Sequence, residues 1–413
     1  MICRFQPRCF VSIFFGVTWM FGAVAQAQTA TSAGLPHSGV PTTSAMKTPA
    51  KIRFSNSCEG VSQVTIGAVG DFLMHDPLQK KAARQGTFIN QWRAFLPYTR
   101  SADIMYGNLE TTTARGLTIN GQLRTDPGLV YDRSVHTSFP LFNVHPQLLT
   151  DMKNSGFDVV STSNNHSLDR GTRGVDLTIE ELEKVDLAFT GTRKRGEFRD
   201  WHTIVRAGDF TTAWVACTWV LNIADRERQV FHCERDEREL MQLIRDLRSK
   251  VDAVIVTPHW GEEYQNRPQP YQVRAGKEYL EAGAAMVLGA HPHALQPIER
   301  HVTRDGRETV IAYSLANFIS FQPRLISKTT VMLFIGLSKN ARGETFINGV
   351  RFIPAFMRNR TGDFMDVELL PIVEGKPHGQ EGLAHILSLF PAENQLRYGD
   401  PLVTNPECLR PLR

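Results

Sequence analysis

The segment Gly289–Glu299, with the sequence GAHPHALQPIE, places His291 and His293 on either side of Pro292. It follows the apolar run AAMVLG, which predicts a buried strand. In an extended chain alternate residues point to the same side, so both imidazoles are expected to project in one direction. Pro292 fixes its own φ and disfavours helix at His291. Two imidazoles in such a frame are suited to one metal ion or to two neighbouring ions.

Polar side chains that bind metals also follow other apolar runs of the chain. These residues are Asp71, Asn108, Glu110, Asn164, Asn165, His166, Asp169, His259, Glu263 and Asn317. One such residue alone is usually a turn or a helix cap. Because ligands bind beyond the carboxyl ends of strands in α/β folds, the repetition at six strand ends favours one shared site. Carboxylate, imidazole and amide groups are the ligands expected for zinc, manganese or iron.

The strands and helices that must position these residues alternate along the chain. Short runs rich in Val, Ile, Phe and Tyr predict strands, among them VTIGAVG, IMYGNLE, FDVVSTS, TTAWVACTW, VDAVIVTPHW and VMLFIGL. Helical periodicity predicts helices in NVHPQLLTDMKNSG, GVDLTIEELEKVD and CERDERELMQLIRDLRSK. The alternation indicates an α/β fold with at least partly parallel strands. The later strands lack intervening helices, so a mixed or antiparallel sheet is expected towards the C-terminus.

Residues 1–27 predict a signal peptide, with Arg4 and Arg8 before an apolar run and small residues behind it. The alternative is an uncleaved anchor, the one route by which the protein would contact a membrane. The run of roughly 16 apolar residues is short against the about 20 that span a bilayer. Residues 28–50, rich in Ser, Thr, Pro, Ala and Gly, are expected to form a flexible leader. The protein is therefore expected to be exported and to be periplasmic or extracellular.

The charge balance argues against a nucleic-acid partner. The chain has 46 Lys and Arg residues against 42 Asp and Glu residues, a formal charge of +4. Without Arg4 and Arg8, 44 basic residues face 42 acidic ones, which leaves +2. This excess is too small for binding driven by phosphate neutralisation, although it allows a locally basic cleft.

Four cysteines remain beyond the predicted signal peptide: Cys58, Cys217, Cys233 and Cys408. An even number in an oxidising compartment indicates disulfides. The pairs expected are Cys58–Cys408, which would join the two ends of the mature chain, and Cys217–Cys233, which would close one polar loop. Free thiols and the other pairings remain open, because four cysteines allow three connectivities.

Six motifs are similar to those of the bacterial capsule-synthesis protein A family, also called the poly-γ-glutamate capsule biosynthesis family. They are GDFLMHDPL, GNLETT, STSNNHSLDRG, HWGEEY, GAHPHALQPIE and YSLANF, in this order over residues 64–318. Members of this family resemble calcineurin-like metallophosphatases. The resemblance implies an α/β fold, a four-layer αββα sandwich with mixed sheets and a metal cluster at one edge. The expected domain spans residues 51–413, with the motif core at 64–318 and a C-terminal extension at 338–413.

The resemblance also implies roles for single residues. The expected ligands of one or two divalent ions (Zn, Mn or Fe) are Asp71, Glu110, Asn165, His259, His291 and His293. Glu110 takes the place of a bridging carboxylate, and His166 is expected to protonate the leaving group. The residues expected to support the ligands are Asp169, Glu263 and Asn317. Arg170 and Arg173 are expected to bind an anionic substrate.

These supporting roles have simpler alternatives, and the motifs depart from the family pattern in two places. Asp169 is equally typical of a helix cap, and Glu263 of a surface charge. Arg170 and Arg173 are equally typical of solvated loop arginines.

Leu73 stands where metallophosphatases usually place a histidine, and His75 either compensates for the missing histidine or faces solvent. The number of ions therefore stays open. Ala316 replaces a glycine that is common in the family.

Three functions follow from these observations. The first is a metal-dependent hydrolase that acts on an anionic envelope polymer such as poly-γ-glutamate. The second is a non-catalytic accessory that binds the polymer and helps its synthesis or export machinery. The third is a secreted phosphodiesterase unrelated to capsule, because the fold does not fix the substrate.

Overall fold

The computed structural model describes residues 49–360 and 366–408. The predicted signal peptide and most of the predicted leader lie outside these residues. The helices are α1 Asp76–Gln85, α2 Leu96–Thr99, α3 Gln147–Asn154, α4 Gly171–Lys184, α5 Glu237–Arg248, α6 Pro270–Ala282, α7 Leu325–Lys328 and α8 Gln380–Leu387. No helix in the described ranges is long and apolar enough to cross a membrane.

The first sheet combines a parallel half with an antiparallel half. Its strands are β1 Ser62–Phe72, β2 Ile104–Leu109, β3 Val159–Ser161, β4 Ala188–Thr190, β11 Asn317–Ile319, β12 Thr329–Lys339, β13 Thr345–Arg360 and β14 Asp366–Pro371. The order is β14-β13-β12-β1-β2-β3-β4, and β11 pairs with the end of β1. Strands β1 to β4 are parallel, whereas β12, β13 and β14 are antiparallel. The prediction of antiparallel strands towards the C-terminus is confirmed.

The second sheet is also mixed. Its strands are β5 His202–Ala207, β6 Phe210–Thr218, β7 Ala253–His259, β8 Met286–Leu288, β9 Ile298–Val302 and β10 Glu308–Ala312. In the order β5-β6-β7-β8-β10-β9, the four central strands are parallel and the two edge strands antiparallel. The sequence prediction omitted both edge strands, because polar or charged residues occupy half of the positions of β5 and three of the five positions of β9.

The two sheets pack face to face with helices on their outer faces. Tyr106 of the first sheet stacks on Trp214 of the second, with ring centroids 5.2 Å apart. Alternation along β1 sends Ile66 to this inner core and Val69 to the outer core, which also contains residues of α1, α3 and α4. Residues of α5 and α6 cover the second sheet. The predicted four-layer αββα sandwich is confirmed.

The disulfides join the pairs that were expected from the sequence. Cys58 pairs with Cys408, with Cα atoms 5.2 Å apart, across 350 positions of the chain. Cys217 pairs with Cys233, with Cα atoms 5.1 Å apart, across 16 positions. The second pair closes the loop that leaves β6 beside the end of β7.

Candidate metal centre

The ends of parallel strands from both sheets meet at one edge of the sandwich. In the first sheet Asp71 lies near the end of β1, in register with Asn108 of β2, and Glu110 follows β2. In the second sheet His259 ends β7 and pairs with Ala290, just beyond β8. This is the edge at which an α/β fold places its ligands.

Five side chains at this edge form two overlapping groups of candidate ligands. Among the described residues, Asp71, Glu110 and His293 form one group, and Glu110, His259 and His291 form the other. Within each group the candidate ligand atoms all lie within 4.8 Å of one another. Glu110 belongs to both groups, and its Oε1 lies 3.7 Å from Nε2 of His259 and 3.7 Å from Nε2 of His293. Glu110 is therefore placed to serve two neighbouring ions or to anchor one.

The site buries a carboxylate and one imidazole nitrogen that lack hydrogen-bond partners among the described residues. As a carboxylate, Glu110 accepts no hydrogen bond from a described residue, and Nδ1 of His291 also lacks a described partner. Burial and the neighbouring charge of Asp71 raise the pKa of Glu110 well above its ordinary value. Burial lowers the pKa of His291 to about 3 and that of His259 well below its ordinary value. A divalent cation would stabilise the ionised carboxylates and would use the free lone pairs, so these residues fit a divalent metal.

The HPH segment reaches this geometry by an unexpected backbone path. The prediction that it is extended is wrong, because φ is 97° at His291 and 52° at His293. The ring centroids of these two histidines lie 6.1 Å apart, and Nδ1 of His293 lies 3.1 Å from Oδ2 of Asp71. Positive φ values are costly for residues other than glycine and are concentrated at functional sites.

The Asn-His pair of the NNH motif lies on the same side of the centre as His259. Oδ1 of Asn165 is 2.9 Å from Nε2 of His259. Nδ1 of His166 is 2.8 Å from Oδ2 of Asp169, which also accepts a hydrogen bond from the backbone N–H of Phe142. Burial raises the pKa of Asp169 despite the hydrogen bond with His166. The buried Asp169 thus orients the His166 ring, and Asn165 is available as an additional ligand.

The residues predicted to support the ligands or to bind substrate differ in how far they are exposed to solvent. Arg170 is buried, and its two terminal guanidinium nitrogens donate hydrogen bonds to Thr137 and to the backbone carbonyl of Asp169. Arg173 is exposed on α4, and Glu263 is exposed on the loop after β7. Asn317 is buried beside Asp71 in the β1–β11 pairing and donates to Gln322. Of the two arginines, only Arg173 can reach a molecule in solvent.

The position that lacks a family histidine is filled by apolar packing. Leu73 is buried in the core. His75 belongs to neither ligand group among the described residues, and its Nδ1 accepts the backbone N–H of Phe321 at 3.2 Å. Burial lowers the pKa of His75 to about 4. His75 therefore does not supply the missing ligand in this structure.

Asn108 is a site residue that the sequence-based set of ligands and supporting residues left out. Its Nδ2 donates to Oδ1 of Asp71 at 2.8 Å, and its Oδ1 accepts from the hydroxyl of Ser161 at 2.6 Å. Asn108 thus holds Oδ1 of Asp71, whereas His293 lies at Oδ2. The signal was present in the GNLE motif, where Asn108 stands two positions before Glu110.

The Cys217–Cys233 disulfide closes a loop that contacts two of these residues. The backbone N–H of Trp219 donates to the carbonyl of His259 at 2.9 Å. Further along the loop, the N–H of Asn222 donates to the carbonyl of Asn165 at 3.4 Å. The disulfide therefore supports the backbone at both residues.

Comparisons with known proteins agree with the arrangement of the motifs. The sequence model of the bacterial capsule synthesis protein PGA_cap matches residues 65–322. The capsule biosynthesis protein CapA of Bacillus anthracis is 28% identical over 290 residues, which cover 67% of this chain and 65% of that protein. The PGA biosynthesis protein CapA of Bacillus subtilis is 26% identical over 279 residues, 67% of this chain and 68% of that protein. The match thus spans about two thirds of these relatives.

Solved structures give more distant likenesses. A novel phosphatase of Mycoplasma pneumoniae is 12% identical, with 79% of this chain and 99% of that chain covered, at a TM-score of 0.39. The sulfate thiohydrolase SoxB of Thermus thermophilus is 14% identical, with 78% of this chain and 59% of that chain covered, at a TM-score of 0.40. At such scores the fold is assigned from the layers and strand order of this chain itself.

Proposed function

The chain belongs to the bacterial capsule synthesis protein PGA_cap family, and on this premise we propose that it is a metal-dependent hydrolase of an anionic envelope polymer. The observation that carries the proposal is the position of Glu110. It is buried, lacks hydrogen-bond donors among the described residues, and is common to two ligand groups. In a purely structural role, a buried carboxylate without hydrogen-bond donors would be costly.

The proposed ligands are those predicted from the sequence. Asp71, Glu110 and His293 would hold one ion, and Glu110, His259, His291 and Asn165 would hold the other. The donor set of carboxylates, imidazoles and an amide is suited to Zn, Mn or Fe. When bound, such an ion polarises a substrate oxygen as a Lewis acid and activates water.

His166 is the proposed proton donor to the leaving group. Its Nδ1 faces Oδ2 of Asp169 at 2.8 Å, so the Nδ1–H donates to the carboxylate and Nε2 remains to carry the proton. The ring packs edge-on against Phe142, with centroids 4.8 Å apart. The carboxylate and the aromatic ring together fix the direction in which Nε2 delivers its proton.

The proposed substrate is a polymer of the poly-γ-glutamate class, cleaved at an amide or a phosphoester bond. The name of the Bacillus subtilis relative, PGA biosynthesis protein CapA, supports this class. We place the protein in the periplasm or outside the cell, after removal of residues 1–27, because two disulfides are typical of an oxidising compartment. Its partners would be the polymer or the machinery that synthesises and exports it.

The second candidate is an accessory that binds the polymer without cleaving it. The observation that favours it is Leu73, which is buried in the place of a family histidine and leaves the Asp71 group with three ligands. A weakly held ion in this group would give binding without turnover.

The test measures metal content and hydrolysis on the same preparations of the full chain. Elemental analysis is followed by assays on poly-γ-glutamate and on bis-p-nitrophenyl phosphate, before and after chelation. Glu110→Gln should lose both metal and activity, whereas the exposed control Glu393→Gln should keep both. A chain that binds poly-γ-glutamate but leaves both substrates uncleaved with metal bound would establish the accessory function. Cleavage of the phosphodiester alone would establish a secreted phosphodiesterase.

A further inference from the structure

The loop between β7 and α6 holds Tyr264 against the metal centre. The backbone N–H of Tyr264 donates to the carbonyl of Pro292 at 2.6 Å, in the middle of the HPH segment. Tyr264 has a φ of 64°, a strained value for an aromatic residue. The buried Gln296 donates to two carbonyls of the same loop, those of Gln265 and Arg267. A strained residue held by several hydrogen bonds is typical of a functional position.

The Tyr264 side chain is connected to the centre on two sides. Its ring centroid lies 6.1 Å from that of His293. Its hydroxyl lies 3.4 Å from Nε2 of Gln322, whose Oε1 accepts a hydrogen bond from Nδ2 of Asn317 at 3.0 Å. Asn317 in turn pairs with Asp71. The half-buried ring therefore lies directly beside the centre.

Arg324 packs against the Tyr264 ring. Its guanidinium carbon is 4.3 Å from the centroid of the Tyr264 ring, which is the geometry of a cation–π contact. Because the Tyr264 and His293 ring centroids are 6.1 Å apart, the guanidinium carbon lies at most about 10 Å from the centroid of the His293 ring. Arg324 is exposed, and it pairs with no carboxylate within residues 49–360 and 366–408. Its planar donors are thus free for a molecule that approaches the centre.

Two other charged residues of the predicted site, Arg170 and Glu263, differ from Arg324 in their ability to bind an anion. Arg170 is buried and its guanidinium donates to protein groups, so it cannot meet a substrate. Glu263 precedes Tyr264 on the exposed loop and contributes a negative charge. An anion near this loop would be repelled by Glu263 and attracted by Arg324.

We propose that Arg324, supported on the Tyr264 ring, binds an anionic group of the substrate, a carboxylate or a phosphate, beside the metal centre. The inference rests on the proposed function for the nature of the substrate. Arg324 is then the residue that selects a charged polymer, and Tyr264 is a positioning residue that holds the guanidinium at a fixed distance from the ligands. An arginine is suited to this task because it binds either anion through two parallel hydrogen bonds.

The experiment is calorimetric titration of the metal-loaded full chain with three probes. They are a γ-linked glutamate oligomer, its uncharged methyl ester and tripolyphosphate. Arg324→Ala should raise the Kd for the preferred anion about tenfold, a loss of about 1.4 kcal/mol, and should change the Kd for the ester less than twofold. Arg324→Lys should recover part of the affinity, and Tyr264→Phe should retain it. Arg342→Ala, at an exposed arginine of the β12–β13 turn, is the matched control.

The outcomes separate this inference from the proposed function. Metal content should be unchanged in every Arg324 and Tyr264 variant, which shows that the centre is intact. The probe that loses affinity identifies the anion as carboxylate or phosphate. An unchanged Kd for both anions in Arg324→Ala, an equal loss for the methyl ester, or no binding of either anion by the wild-type chain would overturn the inference. A wild-type chain that binds through Arg324 but hydrolyses nothing would instead refute the hydrolase.

Discussion

Nδ1 of His293 lies 3.1 Å from Oδ2 of Asp71, although 222 positions separate the two residues in the chain. Asp71 belongs to the first sheet and His293 follows a strand of the second, so this contact joins the two halves of the sandwich. Asn108 holds the other oxygen of the same carboxylate at 2.8 Å. The candidate metal centre is thus part of the packing between the sheets.

The first prediction concerns metal stoichiometry. Asp71→Asn and His291→Ala each alter one ligand group, so each should lower the metal content by one ion if two are bound. Glu110→Gln should remove all bound metal, because Glu110 belongs to both groups. Elemental analysis of the three purified variants measures the difference. Retention of one ion in Glu110→Gln would show that this carboxylate does not bridge.

The second prediction concerns proton transfer. His166→Ala should lower kcat by about 10²–10⁴-fold, the usual contribution of a general acid, and should leave the metal content unchanged. Asp169→Asn should lower kcat less, by about 10–100-fold, since it only disturbs the orientation of His166. Steady-state kinetics on the hydrolysed substrate separate kcat from KM. Loss of metal in His166→Ala would contradict the role and would make His166 a ligand.

Much of this site could be predicted from the sequence, because the signals were local. Asp71, Glu110 and His259 each follow a buried apolar run, and the ends of parallel strands meet at one edge of a sheet. The outer helices were predictable for a similar reason. In α5, for example, Leu240, Ile244 and Leu247 recur at helical spacing and are buried in the structure.

The features that escaped prediction depend on contacts between distant segments. The left-handed conformation of His291 and His293 is held by the hydrogen bond from Tyr264, on another loop. Burial of Arg170 depends on the Thr137 hydroxyl, 33 positions earlier. Ala316 has a φ of 58°, which explains why a glycine is favoured there, but the sequence shows only an alanine. Local propensity contains no information about such partners.

The third prediction concerns the Cys217–Cys233 disulfide. Replacing both cysteines by alanine should lower the free energy of unfolding by about 3 kcal/mol, the chain-entropy value for a loop of this length. It should also weaken metal binding, because the loop contacts His259 and Asn165 through backbone hydrogen bonds. Denaturation and metal titration measure the two effects. Replacing Cys58 and Cys408 is the control, and it should lower stability without a change in metal affinity.

The fourth prediction concerns pH and Asp236, whose side chain is only 1% exposed. Arg228 and Arg235 each lie 2.7 Å from one of its oxygens. Burial alone would raise the pKa of Asp236, but the hydrogen bonds from Arg235 and from the backbone of His232 lower it below its ordinary value. The ionised form is therefore favoured in the folded state. Its contribution to stability is present above the ordinary pKa and is lost as the pH falls through the folded-state pKa.

Asp236→Asn should accordingly be destabilised by about 2 kcal/mol at pH 7, where the charged hydrogen bonds are fully formed in the wild type. The difference should begin to narrow as the pH falls below about 5, where the carboxyl of the unfolded wild-type chain starts to bind a proton, and should go on narrowing until the pH reaches the lowered pKa of the folded state. Urea denaturation of both chains at several pH values measures it. Asp246→Asn, at an exposed position of α5, the helix that begins directly after Asp236, should follow the wild type throughout. If the difference in the free energy of unfolding between the two chains stayed constant down to pH 3, the charge of Asp236 would make no contribution to stability.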